Sequence, residues 1–221
     1  MSAREAILAR IHSRLAKSEE GRQQAVAMRL AAHAHGLVPG RGAGDIEHRI
    51  GLFTSMMEAV GGSVEVLDHL EDVPEHVAAY LRNANLPARI RRGGDSVLAT
   101  LPWHRGGAIT VDEGRAVDSD KASLTRAFAG VAETATIIQL SGADNPTSLN
   151  FLPEAHIVVL EAARLHGTYE EAWDRLRAAL GEGNMPRTVN MISGPSRTGD
   201  IEQTIVRPAH RPKHMHVMIV R

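Results

Sequence analysis

The sequence predicts an α/β protein in which helices cover a mostly parallel β-sheet, with an additional helical segment at the N-terminus. Three observations indicate this class. From Gly61 onward, short apolar runs typical of buried strands alternate with amphipathic helical patterns. Hydrophobic residues make up 43% of the 221 residues, which suffices for one large core. Aromatic residues contribute only 3%, so that core is predicted to be aliphatic.

The N-terminal segment shows helical periodicity. Apolar residues from Ile7 to Leu15 recur at the spacing of one helix face, and an alanine-rich stretch predicts a second helix over residues 19–35. The glycine-rich stretch "GLVPGRGAGD" then interrupts the pattern and predicts a loop or linker. We therefore divide the chain into a helical segment, residues 1–44, and an α/β domain, residues 45–221.

The α/β domain is predicted to contain helices and strands in regular order. Asp45 is predicted to cap its first helix. Strands are predicted in "GGSVEVLD", "PARIRRGG", "GAITVDEG", "TATIIQLS", "HIVVLEAARL", "TVNMIS" and "HMHVMIV", and helices in "VPEHVAAYLRNANL", "DKASLTRAFAGVAE" and "YEEAWDRLRAAL". Ligands of such sheets usually lie beyond the carboxyl ends of the strands. Three loops qualify: "SGADNPTSLN", the segment after "HIVVLEAA", and "GPSRTGD".

Composition argues against several classes of function. The 25 basic and 26 acidic residues nearly cancel, which gives no electrostatic reason to expect nucleic acid or an anionic membrane as partner. The chain has no cysteine, so it offers neither a thiolate nucleophile nor cysteine ligands for zinc or an iron–sulfur cluster. No apolar run approaches the roughly 18 residues of a membrane span. We expect a soluble, cytoplasmic protein.

The loop "GPSRTGD" is the strongest candidate for a binding site. Gly194 lets the backbone turn tightly or approach a ligand. Asp200 and Gln203 have the spacing of a capping box, and a helix start beside Arg197 suits a carboxylate or a phosphate. In the structural alternative, Asp200 only caps the helix and Arg197 pairs with Asp200 or Glu202. The candidate ligand-binding residues of this segment are Gly194, Pro195, Ser196, Arg197, Thr198, Asp200 and Glu202.

Other polar residues are candidates for chemistry. Glu133 lies where a predicted helix meets an apolar strand. It is either a buried general acid or base, or a helix-terminal carboxylate that bonds to nearby groups. His156 opens a strand and either faces the same cleft or covers the end of the sheet. The spacing of His210, His214 and His216 resembles a metal cluster. However, histidines near a chain end are more often polar strand-face or loop residues, so we assign no metal site.

Several motifs together resemble one known family. The segments "AETATI", "LNFLPEAHIVV", "GPSRTGDIEQT" and "AHRPKHMHVMIV" are similar to the LUD-domain family, in particular its lactate utilization protein C branch (LutC and YkgG). The resemblance implies the fold of the glucosamine-phosphate isomerase (NagB), ribose-phosphate isomerase (RpiA) and CoA-transferase-like superfamily. It also implies a part in the oxidation of L-lactate to pyruvate. Iron–sulfur clusters are then expected on a cysteine-rich partner subunit, and no cofactor is expected in this chain.

The resemblance also implies site residues. The positions that match the family's motifs are Glu133, Thr134, Thr136, Leu152, Pro153, His156, Gly194, Pro195, Ser196, Arg197, Thr198, Asp200, Glu202, His210 and His216. We assign proton transfer to Glu133 and His156. Ligand binding is assigned to the two threonines, the 194–202 positions and the two later histidines. The chain departs from the pattern at Ala135, Pro208 and Arg211, which replace family glycines.

Three functions are compatible with these observations. The leading one is a subunit of a lactate-oxidising system that binds a small anion at the 193–202 loop. The second is a non-catalytic module that senses an anion and regulates an enzyme. The third, which rests on likeness of fold alone, is an independent enzyme acting on a sugar phosphate or a CoA ester.

Overall fold

The computed structural model describes residues 3–14, 19–32, 34, 36–181, 183–196 and 212–221. The chain divides into two compact units, one ending at Val38 and one beginning at Pro39. The first unit contains the two predicted helices, α1 (Ala3–Arg14) and α2 (Glu19–Ala32). No helix within the described ranges is long and apolar enough to cross a membrane.

The second unit holds the remaining helices and all the described strands. Its helices are α3 (Ile46–Ala59), α4 (Val73–Asn83), α5 (Ser96–Ala99), α6 (Ser148–Phe151) and α7 (Tyr169–Leu180). Its strands are β1 (Ser63–Leu67), β2 (Arg89–Arg92), β3 (Thr110–Glu113), β4 (Ala122–Arg126), β5 (Ala129–Val131), β6 (Thr136–Leu140), β7 (Ala155–Glu161), β8 (Leu165–His166), β9 (Val189–Ile192) and β10 (His214–Val220). The predicted cap of α3 is confirmed, since the Asp45 carboxylate accepts a hydrogen bond from the backbone amide of His48.

A main sheet of six strands has the order β1-β10-β7-β4-β2-β3, and all its pairs are parallel. This confirms the predicted fold class. On one face, Val77 and Leu81 of α4 pack in an apolar cluster with residues of β4, β7 and β10. On the other face, Phe53 and Met57 of α3 pack in a cluster with residues of β7 and β10. Because both faces are covered, β7 and β10 consist of nearly continuous apolar runs.

A second sheet of four strands was not predicted. Its order is β8-β5-β6-β9, and β6 runs antiparallel to both of its neighbours. The helix predicted for "DKASLTRAFAGVAE" is wrong, because this segment forms β4 and β5. The two strands are buried almost throughout, so packing between the sheets outweighs the helix propensity of their alanines. The inner face of the second sheet contributes Ile137 and Ile192 to the core under the main sheet.

The two ends of the main sheet are built from different loops. At the amino end, the backbone amide of Ser196 donates a hydrogen bond to the carbonyl of Pro212, just before β10. The "GPSRTGD" loop therefore follows β9 of the second sheet and starts at the amino end of the main sheet. The expectation that it lies beyond carboxyl ends of the parallel strands is wrong for this loop. The carboxyl end is formed by residues after β2, β4 and β7 together with the loop after β6.

Candidate functional site

Four side-chain hydroxyls meet where the second sheet contacts the start of α7, and we call Thr134, Thr136, Tyr169 and Ser193 the hydroxyl cluster. The Thr136 Oγ1 atom lies at its centre, 2.6 Å from Ser193 Oγ, 2.7 Å from the Tyr169 hydroxyl and 2.8 Å from Thr134 Oγ1. Thr134 Oγ1 also donates to the Tyr169 hydroxyl at 3.2 Å. The structure thus brings the two predicted threonines together with two residues that were not predicted from the sequence.

Local backbone features hold the cluster in place. Thr134 and Thr136 flank Ala135, whose φ of 48° and ψ of 41° are left-handed. The chain therefore keeps a conformation that favours glycine although it carries alanine there. Ser193 directly follows β9, which pairs with β6, and Tyr169 begins α7 behind the Thr168 cap. These strand ends and the helix start determine where each hydroxyl lies.

Hydrogen-bond accounting shows what the cluster offers to a ligand. Four hydroxyls carry four protons, and the four contacts between them use all four when every bond is formed. Thr136 is fully buried, whereas Ser193 is exposed. To donate to a ligand, the Ser193 hydroxyl must rotate away from Thr136. A ligand at Ser193 therefore replaces the hydrogen bond between Ser193 and Thr136. Neutral hydroxyls suit the binding of an anion better than proton transfer at neutral pH.

Glu133 lies beside the cluster and is buried. Its side chain is 5% exposed, and its Oε2 atom lies 3.8 Å from the Nε atom of Arg41. Within the described part of the chain, this Oε2 atom accepts no hydrogen bond. Arg41 belongs to the short 3-10 turn Gly40–Gly42, which packs tightly on the chain near Glu133. A Cβ atom at Gly42 would lie 2.3 Å from the carbonyl oxygen of Gly167. The backbone amide of Glu133 also donates to that carbonyl. The arrangement is a buried carboxylate beside one half-exposed cation.

His156 lies inside the protein between the two sheets. Its Nε2 atom is 2.8 Å from Thr125 Oγ1, which also accepts from the Gln139 side-chain amide. Burial lowers the pKa of His156 to about 3, so the ring is neutral at physiological pH. If Thr125 donates to Nε2, the ring proton lies on Nδ1, which has no hydrogen-bond partner among the residues that the structure describes. The proton-transfer role assigned to His156 stays a prediction.

His216 lies on the α4 face of the main sheet, opposite the face that carries His156. Its ring stacks on Tyr80 of α4 at 4.4 Å between centroids, and its Nδ1 atom lies 2.8 Å from Ser63 Oγ. Glu65 is 3.6 Å from Nε2, and burial lowers the pKa of His216. The neighbouring Met215 points to the α3 side, where the apolar core includes residues next to the hydroxyl cluster. The structure therefore does not bring His216 to the cluster.

The remaining predicted site residues divide into two groups. Gly194 has a φ of +91°, and Pro195 and Ser196 follow it half-buried. The other residues lie outside the described residues, and their predicted roles stay predictions; they are Arg197, Thr198, Asp200, Glu202 and His210, with the departures Pro208 and Arg211. Within the part of the chain that the structure describes, no three His, Cys, Asp or Glu side chains are arranged to hold a metal ion.

A cleft of about 340 Å³ opens at the carboxyl end of the main sheet. Asp95, Arg126 and Arg164 line it together with the loop Ser141–Asn145. Asp95 follows β2, Arg126 is the last residue of β4, Arg164 follows β7, and the loop Ser141–Asn145 follows β6. The loop after β6 and the segment after β7 were predicted as ligand positions, but no single residue was predicted there. The signal that was available is the charged or polar residue at the end of each strand.

Comparison with known proteins identifies the family to which this chain belongs. The LUD domain model matches residues 50–220 of this chain. An uncharacterized protein of Neisseria meningitidis is 29% identical over 45% of this chain, a match that spans only 42% of that protein's length. Lactate utilization protein C of Deinococcus radiodurans is 27% identical over 79% of this chain and 96% of that protein.

The crystal structure of a DUF162 family protein from Deinococcus radiodurans is similar to this chain. The TM-score is 0.63 at 21% sequence identity, and the match covers 81% of this chain and 100% of that chain. At this identity the similarity shows a shared fold.

Proposed function

Because the chain belongs to the LUD domain family, we propose that it is a cytoplasmic subunit of a system that oxidises L-lactate to pyruvate. The name of the Deinococcus relative, lactate utilization protein C, supports this proposal. The oxidation releases two electrons and two protons from lactate. This chain has no cysteine to hold an iron–sulfur cluster. We therefore propose that a cysteine-rich iron–sulfur partner subunit accepts the electrons.

We propose further that a small anion binds where the 193–202 loop leaves the second sheet. One observation carries this proposal: the exposed hydroxyl of Ser193 connects the turn at Gly194 with the buried Thr136 of the hydroxyl cluster. A carboxylate or phosphate oxygen accepts hydrogen bonds from such hydroxyls. Arg197, which the sequence predicts to bind the same ligand, would add a guanidinium. Glu133 and Arg41 would set the charge beside the anion.

The test reconstitutes lactate oxidation from this chain and its partner proteins. We expect Ser193→Ala to lower kcat/KM for L-lactate by about 10- to 150-fold, since hydrogen bonds to charged groups contribute about 1.5–3 kcal/mol. The matched control is Ser119→Ala, which alters an exposed serine outside the cluster and should leave the rate unchanged. Equal rates for both variants would contradict anion binding at Ser193. Full turnover by the partners without this chain would contradict the subunit role.

A second candidate is an anion-sensing module without catalysis. The observation in its favour is that both residues assigned to proton transfer are buried: Glu133 is 4% exposed and His156 is fully enclosed. Anion binding by the isolated chain, together with unaided turnover by the partners, would support this candidate. An independent enzyme would instead convert sugar phosphates or acyl-CoA esters without any partner, which a substrate screen on the isolated chain decides.

A further inference from the structure

The face of the main sheet that α4 covers changes from apolar to polar at its amino end. Further along β1 and β10, this face carries Leu67 and Met218, which belong to the apolar core. At the start of the same strands it carries Ser63, Glu65 and His216. Ser63 pairs in register with His216, and Glu65 lies two positions after Ser63, so strand alternation places all three side chains on this face. Burial of polar side chains costs free energy, so the cluster points to a role beyond packing.

His216 lies between a hydroxyl and a carboxylate. Its Nδ1 atom is 2.8 Å from Ser63 Oγ, and its Nε2 atom is 3.6 Å from Glu65 Oε2. Nε2 is buried and makes no hydrogen bond with a residue that the structure describes. A nearby carboxylate can only accept, so it favours the tautomer with the ring proton on Nε2. Nδ1 is then the basic nitrogen, and it accepts from the Ser63 hydroxyl.

Helix α4 fixes the orientation of both partners. Tyr80 stacks on the His216 ring with an interplanar angle of 14°. His76, one turn earlier on α4, places its Nδ1 atom 2.8 Å from Glu65 Oε1. This contact leaves the other carboxylate oxygen, Oε2, for His216. A serine hydroxyl, an imidazole base and a carboxylate therefore follow one another, the arrangement that activates a serine for attack on a carbonyl carbon.

The serine is accessible, whereas its base is shielded from solvent. Ser63 is exposed at the start of β1, the edge strand of the main sheet, while His216 is 6% exposed. Ser63 lines a cavity of about 330 Å³ together with Tyr80, Asn83 and His214, and we call it the Ser63 cavity. This volume lies at the lower end of the range of about 300–1,000 Å³ that small-molecule sites occupy. A small substrate can therefore reach the hydroxyl.

The lining of the Ser63 cavity indicates the class of substrate. Its described lining residues include no Asp, Glu, Lys or Arg, which favours an uncharged molecule. Tyr80 and Asn83 supply a hydroxyl and an amide that make no hydrogen bond to another described residue. Burial raises the pKa of Tyr80 to about 12, so its hydroxyl keeps its proton and remains a donor at neutral pH. Such donors stabilise the oxyanion that forms when a carbonyl carbon is attacked.

We propose that Ser63 is the nucleophile of an esterase site for small, uncharged carboxylic esters, with His216 as general base and Glu65 as a positioning residue. Ser63 Oγ bonds to the carbonyl carbon while its proton passes to His216 Nδ1. The bond between that carbon and the alcohol oxygen then breaks, and the alcohol leaves with this proton. Water next attacks the acyl-serine and gives a proton to Nδ1. The bond to Ser63 Oγ breaks, the serine recovers this proton, and the carboxylic acid is released.

An alkyl fluorophosphonate tests the nucleophile in the full chain. Attack forms a bond from Ser63 Oγ to phosphorus, fluoride leaves, and the serine proton passes to His216. We expect a single label per chain, located on Ser63 by mass spectrometry of the peptides. Ser63→Ala should lose the label, whereas Ser119→Ala, which alters an exposed serine outside the cavity, should keep it. Since Ser63 is exposed, its alanine variant should fold, which thermal unfolding checks. A folded wild type without label on Ser63 would overturn the proposal.

Hydrolysis of p-nitrophenyl acetate by the isolated chain measures turnover. We expect Ser63→Ala and His216→Gln each to lower kcat/KM at least about 100-fold, since general base catalysis contributes about 10²–10⁴-fold. Glu65→Gln should lower kcat about tenfold at an unchanged KM, because Glu65 acts on the base and not on the bound ester. Equal rates for wild type and Ser63→Ala would exclude a serine nucleophile, and labelling without turnover would contradict release of the acyl group. Neither assay contains lactate or a partner protein, so the outcome is independent of the function proposed above.

Discussion

Replacement of Gly194 by alanine tests whether the turn after β9 has the geometry on which the anion site depends. At a φ of +91°, an L-residue is strained, and left-handed backbone costs about 1–2 kcal/mol. The added Cβ atom would also lie 2.5 Å from Cγ2 of Val60, a partly buried residue that packs on the core. Overpacking of this kind typically costs about 1–3 kcal/mol. We expect Gly194→Ala to destabilise the fold by about 2–5 kcal/mol.

Thermal and urea unfolding measure this loss. For a chain of this length the melting temperature should fall by about 4–20 °C, since 1 kcal/mol corresponds to roughly 2–4 °C. Gly51→Ala provides the matched control, because Gly51 lies on the exposed face of α3 and a Cβ atom added there would have nothing within 4 Å. That variant should be more stable by about 0.5–1 kcal/mol, as alanine is the better helix former.

A double variant separates the two contributions. If the clash with Val60 matters, Val60→Ala should recover part of the loss caused by Gly194→Ala, and the cycle should show a favourable coupling of about 1 kcal/mol. Without recovery, backbone strain alone accounts for the effect. Wild-type stability of Gly194→Ala would refute the reasoning, because neither the left-handed conformation nor the contact with Val60 would then exist in solution.

Three further predictions concern buried residues, His156, Thr136 and Ala135. The pKa of His156 is lowered to about 3 in the folded state, so the unfolded chain binds more protons below about pH 6.5. The free energy of unfolding should therefore fall by about 1.4 kcal/mol for each unit by which the pH is lowered from about 6.5 to about 3. Urea unfolding across this range should show a flatter pH dependence for His156→Gln than for the wild type. Thr136→Val removes the central hydroxyl and should destabilise by about 1–3 kcal/mol, whereas a change below about 0.5 kcal/mol in urea unfolding would mean that the cluster is not formed. Ala135→Gly relieves left-handed strain but loses a buried methyl group and adds chain entropy, so its unfolding free energy should stay within about 1 kcal/mol of the wild type.

The sequence was sufficient to predict the main sheet, because β7 and β10 are apolar on both faces. Such short apolar runs are typical of strands that are covered on both sides. It was not sufficient for β4 and β5, where alanine, serine and threonine give weak propensities for either structure. Those strands exist because Leu124 and Ala129 are buried between layers that the sequence alone does not reveal. Short, small-residue strands depend on tertiary packing more than on their own composition.

The candidate site was predictable where neighbours in sequence are neighbours in space. Thr134 and Thr136 were selected together, and they do meet, because a single turn joins them. Tyr169 and Ser193 complete the cluster from distant segments, and no local pattern marks them. His216 shows the opposite case. It belongs to the same family motifs, yet strand alternation turns it toward Tyr80 and away from the cluster.

The polar features that were expected in one place thus lie in two separate places, the hydroxyl cluster and the cleft. Thr134 and Thr136 of the family motifs belong to a set of neutral hydroxyls whose protons are already used between them. The general rule for parallel sheets points to the carboxyl end, where two arginines paired with carboxylates line a cleft. Each place also has a buried acceptor without a hydrogen-bond partner among the described residues, Glu133 Oε2 beside the cluster and Asn145 Oδ1 beside the cleft. Each such acceptor costs about 1–3 kcal/mol. Unpaired acceptors therefore do not distinguish the two places as sites for a ligand.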